Sequence, residues 1–134
     1  MIAERKAAGP RLAFSDVVVT SGPVAYITGQ GPIRDGEAVG SGLREQAEVT
    51  LDNLLRAVES VGSRVELVAR CTCYLADLAD YDIFDDVYRK YFKAELPART
   101  TIGAGLLRGI LVEVDAIAAV PAAGEVPVEP VSSR

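Results

Sequence analysis

The chain has 134 residues, a net charge of −5, 49% apolar and 25% charged residues, and no histidine. That length suits one domain and is short for two. The acidity argues against a general affinity for nucleic acid or anionic membrane, and the missing histidine removes Ser-His-Asp and Cys-His triads and imidazole metal sites together.

Residues 1–10, MIAERKAAGP, lack the apolar stretch of a signal peptide and read as a loose lead-in, so the cytoplasm is the expected compartment. No apolar run approaches the ~20 residues that span a bilayer. Residues 17–20 (VVVT) and 24–29 (VAYITG) read as strands around Ser21-Gly22-Pro23, which predicts a hairpin. The glycine-rich segment that follows leaves room for a short strand near Glu37–Val39. Leu43, Ala47, Leu51, Leu54, Leu55 and Val58 follow a helical stripe that Gly62 stops. Residues 65–76 read as a strand. Asp80 is placed to cap a second helix on which Phe84, Val87, Tyr88, Tyr91 and Phe92 share a face, with acids early and bases late as the helix dipole favours. Strands over 99–106 and 110–120 complete the core, and the tail from Pro121 reads as extended or disordered. The expected domain is a single one over residues 1–134, with its core at about 11–120 and loose ends at 1–10 and 121–134.

This order predicts an α+β fold: a mixed sheet with both helices on one face. Strand alternation then assigns faces. Leu67, Ala69, Cys71, Cys73 and Leu75 are expected under the helices, together with Ile102, Ala104 and Leu106, and with Val112, Val114 and Ala116. Arg99, Thr101, Glu113 and Asp115 are expected on the opposite face with Arg70, Thr72 and Tyr74. That face is too apolar to stay wet and too polar for a core, so a homo-oligomer closing over it is expected. Cys71 and Cys73 form a C-x-C, neither a C-x-x-C redox pair nor half a zinc ribbon, and read as inert core thiols. The glycines form no G-x-G-x-x-G following a strand into a helix.

Several segments are distinctive: ITGQGPI (27–33), EQAEVTLDNLLRAVESVGS (45–63), CTCYLADLADYDIFDDVYRKYF (71–92), and above all PARTT followed by VEVDAIA. From Ser15 to Val120 the chain resembles the RidA/YjgF family. The resemblance implies a chorismate-mutase-like fold and a homotrimer with clefts between subunits. It also implies hydrolysis of small 2-enamine or 2-imine carboxylates to 2-keto acids and ammonia, as by a 2-iminobutanoate/2-iminopropanoate deaminase, without cofactor or metal. Arg99 then takes the place of the arginine that holds the substrate carboxylate. Glu113 takes that of the acid that positions or activates water. Thr28 and Gly29 match a pair bordering the cleft, and Thr101 a position held by cysteine or a small residue.

Two positions depart from the family pattern. A cleft tyrosine is replaced by Ser15, or by Phe14 if the alignment slips by one, and Asp85 stands where asparagine is usual. The departures favour a second reading, a pathway-specific deaminase for a larger enamine such as an aminomuconate-like acid. A third is a non-enzymatic trimer that binds a small carboxylate or acts like a chaperone. The chemistry suits the residue types. A guanidinium holds a carboxylate through two parallel bonds, and a carboxylate within hydrogen-bond reach can orient a water.

Overall fold

A computed structural model describes residues 1–122. The expectation for the tail therefore lies almost wholly outside the described residues. In chain order the elements are β1 (Ile2–Ala7), β2 (Ser15–Thr20), β3 (Val24–Gln30), β4 (Ile33–Arg34), β5 (Glu37–Ala38), α1 (Leu43–Glu59), β6 (Val68–Leu75), α2 (Tyr81–Tyr91), β7 (Ala98–Gly103) and β8 (Val112–Ala119). Six strands make one sheet in the order β1-β2-β7-β6-β8-β3, and β4 pairs with β5 separately. β6 and β2 run parallel to β7, and the other pairings in the sheet are antiparallel. The sheet is thus mixed and the fold α+β, as the element order predicts.

Residues 2–7, expected as a loose lead-in, are instead the edge strand β1, paired with β2 along its length. The expected hairpin between 17–20 and 24–29 does not form. β2 uses its backbone on β1 and β7, whereas β3 pairs with β8. Ser21 N–H bonds the Met1 carbonyl and Val120 N–H bonds the Pro23 carbonyl, so the turn exchanges one set of partners for another. Gly22, at φ +80°, supplies the left-handed residue that this change of direction needs.

The core lies between the helices and one face of the sheet. Leu43, Ala47, Leu51, Leu54, Leu55 and Val58 of α1, with Phe84, Val87 and Tyr88 of α2, pack on Cys71, Cys73 and Leu75 of β6 and Val112, Val114 and Ala116 of β8. Each of the larger aliphatic side chains contributes about 1.5–3 kcal/mol of burial. Tyr88 stacks on Phe92 at 4.4 Å between ring centroids, which anchors the end of α2. Glu45 accepts from the Ser41 N–H at 2.8 Å and steadies the start of α1. At α2, Asp80 occupies the cap position without a capping bond; Asp77 accepts from Ala79 N–H and caps the preceding 3₁₀ turn instead. The strand expected over 65–76 starts at Val68, because residues 65–67 form a 3₁₀ turn.

The register between β6 and β7 corrects one face assignment. Cys71 is aligned with Arg99 and Cys73 with Thr101. Paired residues in a ladder share a face. Arg99 and Thr101 therefore lie under the helices, and Ile102, expected in the core, is 42% exposed. β7 ends at Gly103, so Ala104 and Leu106 lie outside the strand and do not continue an alternation through Ile102.

Candidate active site

Two clusters carry the residues singled out by the sequence. The first is built around Arg99. Its side chain is only 2% exposed. The guanidinium donates to the Tyr81 hydroxyl at 2.6 Å and lies over the rings of Phe14, Tyr81 and Tyr88, at 5.2, 5.6 and 4.6 Å from their centroids. Arg99 Nη1 is 2.8 Å from Asp85 Oδ1, an ion pair across the gap between β7 and α2. Burial works against the Arg99 charge. Asp85, then Tyr81 and Tyr88, favour it more strongly, so its pKa ends above the ordinary arginine value. Cation–π contact with the rings adds to the hold.

Asp85 is shared. Its Oδ2 accepts from Arg89 Nε at 2.8 Å, one helical turn on, and Arg89 also donates to the Arg11 carbonyl. Arg99 Nη1 and Asp85 Oδ1 are both buried and have each other as partner, with no second hydrogen bond to either atom among the described residues. The hydroxyl oxygen of Thr101, two residues along the same face of β7, is buried beside the Cys73 thiol.

Ser15 does not face this cluster. It is 5% exposed, and its hydroxyl donates to the Leu96 carbonyl, which fastens β2 to the segment before β7. Phe14 is the residue whose ring meets Arg99. Tyr81, Tyr88 and Arg89 join the cluster without having been singled out for it. The i, i+4 spacing of Asp85 and Arg89 was the signal for one of them; Tyr88 had read only as helix core.

The second cluster stands on the opposite face of the sheet. A register irregularity between Ile27 and Gln30 of β3 brings Gly29 against Glu113 of β8. A Cβ on Gly29 would sit 2.3 Å from Glu113 Oε2, so the carboxylate occupies the space a side chain would need. Thr28 is exposed beside it. Two residues along β8, Asp115 accepts from the Tyr74 hydroxyl at 2.7 Å. That bond, more than burial, raises the Tyr74 pKa.

Arg99, Asp85 and Thr101 are thus together, as are Thr28, Gly29 and Glu113, but the two groups lie on different sides of one sheet. Surface hollows of about 480 Å³ beside Leu55, Tyr91 and Phe92, and of about 520 Å³ beside Gly29, Asn53 and Arg56, are lined by neither Arg99 nor Glu113. No group of three or more Cys, Asp or Glu among the described residues is arranged to hold a metal ion. No helix among them is long and apolar enough to cross a membrane.

A family model described as Endoribonuclease L-PSP matches residues 4–120. The chain belongs to that family, the RidA/YjgF family. Protein DfrA of Myxococcus xanthus is 38% identical over 117 residues, covering 84% of this chain and 87% of its own. The human protein named 2-iminobutanoate/2-iminopropanoate deaminase is 31% identical over 121 residues, 88% of each chain. Among solved structures, YyfB of Yersinia pestis, described as a Rid-family protein of unknown function, superposes with a TM-score of 0.73. It is 28% identical, over 81% of this chain and 87% of its own. The RidA/YjgF membership agrees with the resemblance carried by the PARTT and VEVDAIA segments.

Proposed function

We propose that this RidA/YjgF protein is a hydrolytic deaminase that converts small 2-enamine or 2-imine carboxylates to 2-keto acids and ammonia. The observation that carries the reading is the Arg99 cluster: a guanidinium kept charged in an aromatic enclosure and paired with Asp85, with the Thr101 hydroxyl on the same face of β7. The name of the human relative supports the same reaction. Water adds to the C=N carbon, the C–N bond of the carbinolamine breaks, ammonia leaves and the carbonyl forms. Arg99 holds the carboxylate, with Thr101 beside it. Glu113 orients the attacking water, and Thr28 and Gly29 border the place where it stands.

Because the two clusters face opposite sides of the sheet, the reading requires Arg99 of one copy to meet Glu113 of another. A homotrimer with clefts between subunits, built on the chorismate-mutase-like arrangement, meets that need. The open face supports it: Tyr26 is 77% and Ile102 42% exposed, an apolar surface that another copy would cover. The cytoplasm is the compartment this reading favours, where the free Cys71 and Cys73 stay reduced. RNA is the poorer fit despite the family's description, because the net charge is −5 and Glu113 and Asp115 occupy the open face.

Asp85 favours a second reading. Its carboxylate already engages Arg99, and Phe14 brings a ring without a hydroxyl, so a larger enamine acid such as an aminomuconate-like compound remains the alternative substrate. The test is to generate 2-iminopropanoate freshly with an amino-acid oxidase and follow ammonia and keto acid. Accelerated release supports the first reading. No acceleration with this substrate, but turnover of a ring-derived enamine, supports the second. No turnover of either leaves a carboxylate-binding protein.

A further inference from the structure

A hydrolase that frees ammonia meets the same carboxylate on substrate and product. They differ at one atom. The imine or enamine nitrogen carries N–H, whereas the keto acid presents only acceptors there. Arg99 alone would hold both equally, and specificity has to come from a group that meets the differing atom.

Asp85 is placed to be that group. Its Oδ2 is held by Arg89, while its Oδ1 lies 2.8 Å from Arg99 Nη1. Oδ1 and Nη1 are buried and paired with each other, and no second hydrogen bond reaches Oδ1 among the described residues. A carboxylate oxygen can accept more than one hydrogen bond, so Oδ1 keeps acceptor capacity beside its ion pair. We propose that Asp85 Oδ1 accepts the substrate N–H and thereby sorts imine or enamine substrate from keto acid product at Arg99, an inference that rests on the deaminase reading above.

The physical basis is the short distance between the two side chains. A carboxylate brought onto Arg99 comes close to Asp85. With an N–H on the neighbouring atom, that approach ends in a charge-assisted hydrogen bond. With a ketone oxygen instead, lone pairs and negative charge face each other and the contact is repulsive. Arg89 keeps Asp85 from swinging aside. Phe14 and Tyr81, both half-buried, hold their rings against the Arg99 guanidinium beside the pair. The product is therefore held weakly although it keeps the group that Arg99 binds.

Calorimetric titration of the full chain with two stable probes, 2-aminobutanoate and 2-ketobutanoate, tests this without relying on turnover. The wild type should bind the amino acid at least about tenfold more tightly than the keto acid. Asp85→Asn should abolish or reverse that preference, chiefly by tightening keto acid binding. Asp85→Ser reads the same ratio if Asp85→Asn melts early. An unchanged preference in the variants, or binding of neither probe by any of the proteins, overturns the proposal. Failure of the deaminase reading looks different: no imine turnover by the wild type, with the Asp85-dependent preference intact.

Discussion

Cys71 and Arg99 stand side by side in the parallel β6–β7 ladder, so an inert thiol and a charged guanidinium enter the same space beneath α2. The charge is tolerated because Asp85 reaches it at 2.8 Å and three rings enclose it. Arg99→Ala leaves Asp85 to Arg89 alone. Breaking one side of a buried pair should cost about 3 kcal/mol, the low end of the usual range because Arg89 remains. In the Arg99→Ala background, Asp85→Ala should cost far less than it does alone, with a coupling of about 1–3 kcal/mol. Urea unfolding of the four proteins measures this, and additive losses would show that the pair does not hold α2 to β7.

Gly29→Ala addresses the second cluster. Its Cβ would fall 2.3 Å from Glu113 Oε2, and the far end of that side chain can swing away. Stability should drop by only about 1 kcal/mol, the cost of one poorly accommodated methyl on a flexible neighbour. Imine turnover should fall at least about tenfold if the Glu113 carboxylate orients water, since geometry at the reacting atom dominates. Steady-state kinetics beside a melting curve separates the effects. Wild-type kcat would remove Glu113 from the chemistry.

Burial raises the Cys71 pKa from the ordinary 9.0 to about 12, and Cys73 moves the same way. The folded state therefore holds these protons more tightly than the unfolded chain. That contribution to stability is complete below pH 9.0 and is lost as pH rises through about 12. Urea midpoints should fall between about pH 8 and pH 10.5, and the fall should be shallower in Cys71→Ala. Both thiols should label slowly with a thiol reagent in native protein and quickly in urea. Fast native labelling would contradict their burial.

Helices and core were legible because their periodicity is local. The stripe from Leu43 to Val58 and the ring face of α2 are written into single segments. Strand partners were not. β2 and β3 sit three residues apart yet pair with β1, β7 and β8, and nothing within residues 15–30 reports those distant backbones. Arg99 was recognisable as a site residue, but its face was misread, because Ile102 suggested an alternation that only the register with Cys71 could refute. Asp85 was visible as a departure. Its contact with Arg99 depends on how α2 lies over β7, which sequence spacing does not encode.

A site made from Arg99 of one copy and Glu113 of another can be rebuilt in mixed assemblies. Arg99→Lys keeps a cation beside Asp85 but loses the fork, and Glu113→Gln loses the acid; each alone should cut 2-iminopropanoate hydrolysis at least about tenfold. Analytical ultracentrifugation should give a mass near three chains for both. Co-expressed and purified as mixed trimers, the two variants should regain a clear share of wild-type turnover, because some clefts then join an intact Arg99 to an intact Glu113. Mixed assemblies no more active than their parents, beside an active wild type, would contradict a site shared between subunits.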